Sequence, residues 1–311
     1  MSFLFLNFNI YSCGIFLLFL FVLKFSYSSY IRGLFYLMNF KYLFIFLATA
    51  NLSAQKISGT VFSEKHHPVA DARIGIENED TGSITNEEGK YVVDLTGIDK
   101  NRILKVYVNG YEPFHMKISD FEALPEYDIS LSKKAVEIEN VNIIPKKYTE
   151  KNFGTRNSKR AYCGYDSQDL KKIFREYAIK IKNQRKLKVK KINLNLSSFD
   201  IEQPITLIFD IQNSAGDFPG ESMINETLKL RITKEDILDN TVSLDLNDKS
   251  IWLNADFFVS VRTSEDFKGK LFLGGNIFAF SKNTYYRNYF GEWKKFSAGE
   301  PSINVDVLIE K

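Results

Sequence analysis

Short runs of alternating apolar and polar residues dominate the chain from residue 56 onward. At 56–62 the residues Ile57, Gly59 and Val61 share one face, which is the period-2 signature of a half-buried strand. The same pattern returns at 69–76, 83–85, 90–95, 103–108 and 127–131. Polar turns separate these runs at 63–67, at 77–82 and from Asn86 to Gly89, where Gly89 offers the positive φ that a tight reversal requires. Asn109 and Gly110 give a further turn signal. Six or seven short strands within about 80 residues, with no helical period between them, predict a β-sandwich.

The second half repeats this grammar. Apolar or alternating runs at 177–182, 187–196, 205–211, 228–233, 242–246, 256–261, 270–273, 285–286 and 303–309 predict strands, and 169–175 predicts a short helical turn. Eight or nine strands across about 150 residues predict a second, jelly-roll-like sandwich. Breakers and cations concentrate at 143–160. The expected organisation is an all-β chain of two sandwiches, 55–133 and 161–311, joined by a linker at 134–160.

The first 54 residues form a separate object. They hold no Asp or Glu, and Lys24, Arg32 and Lys41 are their only charged side chains. Met38 to Lys41 reads as a basic n-region, 42–50 as an apolar h-region, and Leu52, Ser53 and Ala54 as a small-residue cleavage site. The expectation is a cleavable signal peptide at 38–54, with 1–37 as upstream sequence included by an early start. A two-segment membrane anchor is the alternative, but the apolar run at 10–23 is short against the ~20 residues of a spanning helix.

Composition changes the picture in three places. The 311 residues carry 41 Lys plus Arg against 38 Asp plus Glu; the three leader cations account for the whole excess, so the folded part is balanced. Net charge therefore gives no argument for an anionic partner. Two Cys and three His exclude a disulfide scaffold and a Cys-rich zinc module, and Cys13 leaves with the leader. The remaining Cys163 reads as a small buried apolar residue.

Four blocks carry a family resemblance: Gly-Thr-Val at 59–61, Pro-Val-Ala-Asp-Ala-Arg-Ile at 68–74, Gly-Ser-Ile-Thr-Asn-Glu-Glu-Gly-Lys-Tyr at 82–91 and Val-Asn-Gly-Tyr at 108–111. In this order they resemble the carboxypeptidase-regulatory-like domain. That family implies a transthyretin-like, seven-stranded sandwich found near the N-termini of Gram-negative envelope proteins, TonB-dependent receptors among them. His67 and Asp71 depart from it, standing where the family more often has Gly. The resemblance carries no catalytic residues, and the close His and Glu of a zinc carboxypeptidase are missing around His66, His67 and His115. The segment 136–145 resembles the short hydrophobic stretch that follows this domain in the receptors; a last edge strand with a tether is the plainer reading. The second half resembles the uncharacterised domain that accompanies the first in short secreted envelope proteins, a likeness that leaves function open.

Four features are candidates for function. The stretch 171–191 holds ten Lys or Arg against one acid, Glu176, and suits an anionic polymer by charge. Yet Lys186, Lys188 and Lys190 alternate with Leu187 and Val189, as on the solvated face of a strand or a guarded sheet edge. Tyr285, Tyr286, Arg287, Tyr289 and Trp293, with Phe290, Asn283 and Asn288 nearby, suit a sugar-binding face, since rings stack on CH groups while amides and guanidinium take hydroxyls; core packing is the competing reading. The turn Glu77 to Thr81 offers oxygens for calcium without EF-hand spacing, so a solvated turn is expected. Asp210, Asp217 and Glu221 supply carboxylates for glycoside hydrolysis, yet such groupings arise freely in a chain with 25% charged residues.

Sequence therefore predicts an exported, non-enzymatic binding or scaffolding protein, periplasmic or outer-membrane associated. No cofactor, metal site, catalytic residue or nucleic-acid partner is expected, and no membrane span in the mature chain. The first sandwich is expected to act as spacer or docking module and the second as binding surface for an envelope protein or surface polysaccharide. The alternatives are a carbohydrate-binding accessory module and a hydrolase on the second sandwich.

Overall fold

The structure is a computed structural model that describes residues 56–121, 126–134, 147–157, 159–169, 175–279 and 283–311. The expected leader, the segment 136–145 and most of the helical turn at 169–175 lie outside the described residues. Gln55–Lys311 form one compact unit.

Seven strands build the first sandwich: β1 (Lys56–Ser63), β2 (Arg73–Ile76), β3 (Gly82–Ile84), β4 (Lys90–Asp94), β5 (Ile103–Tyr107), β6 (Phe114–Lys117) and β7 (Ile129–Leu131), with one helical turn, α1 (Ile118–Phe121). One sheet has the order β4-β1-β7 and the other β3-β2-β5-β6. All pairs are antiparallel except β1 with β7. Ile57, Val61, Tyr91 and Val93 from the first sheet meet Ile74, Ile76, Leu104 and Val106 from the second in a single core, to which α1 adds Ile118 and Phe121. The period-2 pattern explains β1, β4 and β5, whose inward positions are buried and outward positions are not. The run at 69–76 becomes strand only from Arg73. Before it, Asp71 sits at φ 59, a left-handed conformation that explains why the family favours Gly there; its side chain is held by an ion pair with Lys229. His67 has no such backbone, and the positive φ falls on His66 instead.

The second sandwich continues with β8 (Tyr148–Gly154), β9 (Ala161–Asp166), β10 (Arg175–Ile181), β11 (Leu187–Asp200), β12 (Ile205–Ala215), β13 (Phe218–Ser222), β14 (Leu228–Ile232), β15 (Thr241–Asp245), β16 (Trp252–Leu253), β17 (Phe257–Thr263), β18 (Lys270–Asn276), β19 (Thr284–Asn288), β20 (Lys294–Lys295), β21 (Glu300–Pro301) and β22 (Ile303–Glu310). A seven-stranded sheet has the order β13-β12-β17-β10-β19-β20, with β14 also on β12. An eight-stranded sheet has the order β21-β18-β11-β22-β8, with β15 and β16 on β11 and β9 on β18. Between them lies a core that includes Tyr177, Ile179, Phe209, Ile211, Val259 and Val261 from the first sheet and Leu194, Leu196, Leu273, Val305 and Val307 from the second.

Three expectations need correction. The stretch 134–160, read as a linker, contains β8, which pairs along all of its length with β22 and belongs to the second sandwich; its alternation is weak because one side faces solvent. The residues after Gly216, outside the predicted strands, form β13, since only Gly216 needs a positive φ and Phe218 already faces Ala215 across the hairpin. The lysines of β11 guard no edge: β11 is flanked by β15, β16, β18 and β22. They are solvated-face residues answered by neighbours, Lys190 by Glu150 at 2.6 Å and Lys188 by the carbonyl of Asn247 at 3.0 Å.

Truncating Leu194, fully buried between the two large sheets, should cost about 2–5 kcal/mol as Leu194→Ala. Val92→Ala, on the exposed face of β4, should stay within about 0.5 kcal/mol. Urea denaturation of both variants checks this pair.

Candidate functional site

Two strands break the alternation and locate the site. All seven residues of β17 and all four of β2 are buried, so each has both faces covered. Inward residues of β17 serve its own core. Its outward residues Phe258, Ser260 and Arg262 point away from that core, and the outward residues of β2 are Arg73 and Gly75. Phe258 packs on Tyr285 of its own sandwich, while the first sandwich lies over Ser260 and Arg262 and turns Arg73 and Gly75 toward the same junction.

At the centre of this junction is Glu176 of β10, whose side chain is 4% exposed. Its Oε2 accepts from Arg73 Nη2 at 2.8 Å and from Arg287 Nε at 2.8 Å, and its Oε1 accepts from the Ser260 hydroxyl at 2.6 Å. Burial by itself would raise its pKa. The Arg287 and Arg73 guanidiniums and the Ser260 hydroxyl outweigh that and hold the carboxyl well below the usual carboxylate range. Arg73 comes from the first sandwich and Arg287 from the second, so one carboxylate fastens the two. Arg262 Nη2 donates to the Asp71 carbonyl at 3.0 Å, across the same junction.

A second, partly buried carboxylate stands beside the first. Asp210 of β12 accepts from Ser222 at 2.6 Å, from Gln212 at 3.2 Å and, across the junction, from Asn109 at 3.2 Å. Burial pushes its pKa up to about 6, against the pull of the Ser222 hydrogen bond and with help from the Glu176 charge.

The loop after β19 completes the junction. Tyr289 and Phe290 lie against Gly82 and Gly75, where a Cβ would come within 2.9 Å and 3.1 Å of the respective rings. These two glycines give the rings flat backbone to rest on. The Phe290 carbonyl accepts from the Asn78 amide at 3.0 Å, and Lys294 pairs with Asp80 at 2.9 Å. The turn Glu77 to Thr81, read as solvated, is thus also a docking element, with Glu79 on Arg102 at 3.1 Å.

The structure separates the predicted sugar-binding residues. Tyr285 is 1% exposed and packs edge-on against Phe218 and Phe258 at 5.7 and 5.3 Å. Tyr286 points to the opposite face, against Phe296 at 4.8 Å. Arg287 joins Glu176 and lies over Trp293 at 4.3 Å, while Tyr289 goes to the junction. Arg287 and Trp293 come together; the five do not form one platform. Asp210, Asp217 and Glu221 also part: Asp210 is partly buried at the junction, and Asp217 is exposed and pairs with Lys180 at 3.7 Å. Cys163 packs against the second core, and burial raises its thiol pKa, which makes it unreactive.

Beside the junction opens a cleft of about 650 Å³ lined by Asp71, Glu87, Glu88, Lys229, Arg231, Glu265 and Asp266 among others. Burial, with the charges of Asp266 and Asp71, lifts Glu265 to about 7. Sequence reasoning missed both this cleft and Glu176. Arg262 and Ser260 in 257–263 look in sequence like the solvated side of an alternating strand, so they gave no signal of a buried junction.

Residues 57–143 match the CarboxypepD_reg-like domain family, in agreement with the four sequence blocks. No curated protein matches the chain. Among solved structures it is similar to BcpA, the major pilin subunit of Bacillus cereus, at 11% identity and TM-score 0.17, over 80% of this chain and 68% of that one. A variant of the same pilin gives 10% identity and TM-score 0.18 over the same shares.

Removing the shared carboxylate leaves two buried guanidiniums without their counter-charge, so Glu176→Ala should cost about 3–5 kcal/mol in denaturant titrations. Folding raises the pKa of Asp210 from 3.8 to about 6, so the folded protein keeps a proton that the unfolded chain has already released. The contribution of Asp210 to stability is therefore most favourable near pH 4 and falls as pH rises to 6. Relative to wild type, Asp210→Asn should gain up to about 3 kcal/mol between pH 4 and pH 7, read from thermal melts at the two pH values.

Proposed function

We propose that this is a non-enzymatic scaffolding protein of the exported cell envelope. In this reading the N-terminal CarboxypepD_reg-like sandwich is a fixed docking module, seated on its own chain, and the C-terminal sandwich presents a surface to another envelope component, protein or polysaccharide. The observation that carries the reading is the buried Glu176 centre. Two sandwiches fastened through a shared carboxylate and pairs of aromatic rings on glycines behave as one rigid body, which suits holding surfaces at a fixed distance. The carboxylates at this centre are saturated with donors, an arrangement that suits an interface. Among the described residues no helix is long and apolar enough to cross a membrane.

Fractionation of the native cell, combined with crosslinking from the exposed Phe278 of the C-terminal sandwich, tests this. Recovery in the envelope fraction with a captured envelope partner is expected. Recovery in the cytosol, or an envelope location with no captured component, contradicts it.

The cleft beside the junction favours a second reading, acid–base hydrolysis, because Glu265 holds a proton near neutral pH beside Asp266. Its lining carries Lys229 and Arg231 and no aromatic ring, whereas a sugar subsite uses rings for stacking. Turnover of chromogenic glycosides that disappears in Glu265→Gln would establish this reading in place of the first; the scaffold reading expects no turnover in either protein.

A further inference from the structure

The charge centre encloses a cavity of about 30 Å³ lined by Arg73, Arg262 and Arg287 on the cationic side, by Glu176 and Asp210 on the acidic side, and by the polar residues Tyr107, Asn109 and Thr227. That volume takes one or two water-sized spheres. Three guanidiniums face two carboxylates, and both carboxylates are already saturated. Glu176 accepts three donors, from Arg73, Arg287 and Ser260. Asp210 accepts from Asn109, Ser222, Gln212 and its neighbouring backbone amide. Arg262 is 8% exposed, and its Nη1 is buried with no hydrogen-bond partner among the described residues. The other charged groups near Arg262 are Asp71, whose carbonyl takes Nη2, and Lys229, which pairs with the Asp71 carboxylate. Among the described residues Nη1 meets no acceptor; the other buried polar atom without a partner is Gln212 Oε1 on the neighbouring strand. A buried guanidinium donor without an acceptor is costly, and the lining has one positive charge more than it has negative.

We propose that this cavity binds one small anion, a halide such as chloride, against Arg262 Nη1. The anion supplies the missing acceptor and neutralises the surplus guanidinium charge. It also bridges the sandwiches, since Arg73, Tyr107 and Asn109 come from the first and Arg262, Arg287 and Glu176 from the second. An anion bound only when the two are docked stabilises the docked form by mass action.

Two measurements on the intact protein test this. Crystals soaked in sodium bromide should show an anomalous peak in the cavity beside Arg262. Melting in sodium chloride against sodium gluconate at constant ionic strength should show a halide-specific rise in Tm of about 3–5 °C for each tenfold increase above the dissociation constant. Arg262→Met should lose the halide response; if that variant fails to fold, the bromide peak in the wild-type protein decides. A cavity holding water without anomalous signal, or equal Tm values in chloride and gluconate, overturns the proposal.

Discussion

The architecture of residues 56–311 depends on one carboxylate that cannot be solvated. Glu176 lies beneath the first sandwich on the outer face of a sheet whose inner face is already a core. Transferring a carboxylate to such a place costs several kcal/mol unless charge and hydrogen bonds return them. Arg73 from one domain, Arg287 from the other and Ser260 from the adjoining strand do so. The neighbouring polar groups follow from this. Arg262 is buried because the sandwiches close over it, and Asp210 shifts because the same closure removes its water.

Apolar contacts set the distance at which the charges meet. Gly75 and Gly82 present bare backbone to Phe290 and Tyr289, so the sheets approach closely enough for Arg73 to reach Glu176. Larger side chains there would hold the sheets apart and leave the charges half solvated. Packing and electrostatics thus depend on each other: ring-on-glycine contacts exclude water, and water exclusion strengthens the ion pairs.

Most of the two sandwiches was legible in the sequence, since most of the longer strands show a period of two, and four ordered blocks marked the first domain. The junction was less legible for definite reasons. Glu176 sits in a stretch with ten cations, where a lone acid looks like ordinary surface neutralisation. Its partner Arg73 is 103 residues away, a separation over which sequence pattern says nothing about contact. Tyr289 and Phe290 look the same in sequence whether they bind a sugar, fill a core or join two domains. The short strands β13, β16, β20 and β21 escaped because two to five residues show no reliable period. The missing information was burial on both faces: Arg73-Ile-Gly-Ile76 and Val259-Ser-Val-Arg262 alternate in sequence like half-solvated strands, yet every residue of both strands is buried.

The central claim is that Arg73 and Glu176 act as one unit across the domain boundary. A double-mutant cycle on these two residues, with unfolding free energies for Arg73→Met, Glu176→Gln and the double variant, measures it most directly. The account predicts strong coupling, about 1.5 kcal/mol or more, with the double variant less destabilised than the sum of the singles. Additivity within about 0.5 kcal/mol would contradict it, since the two sandwiches would then be held together by contacts other than this carboxylate.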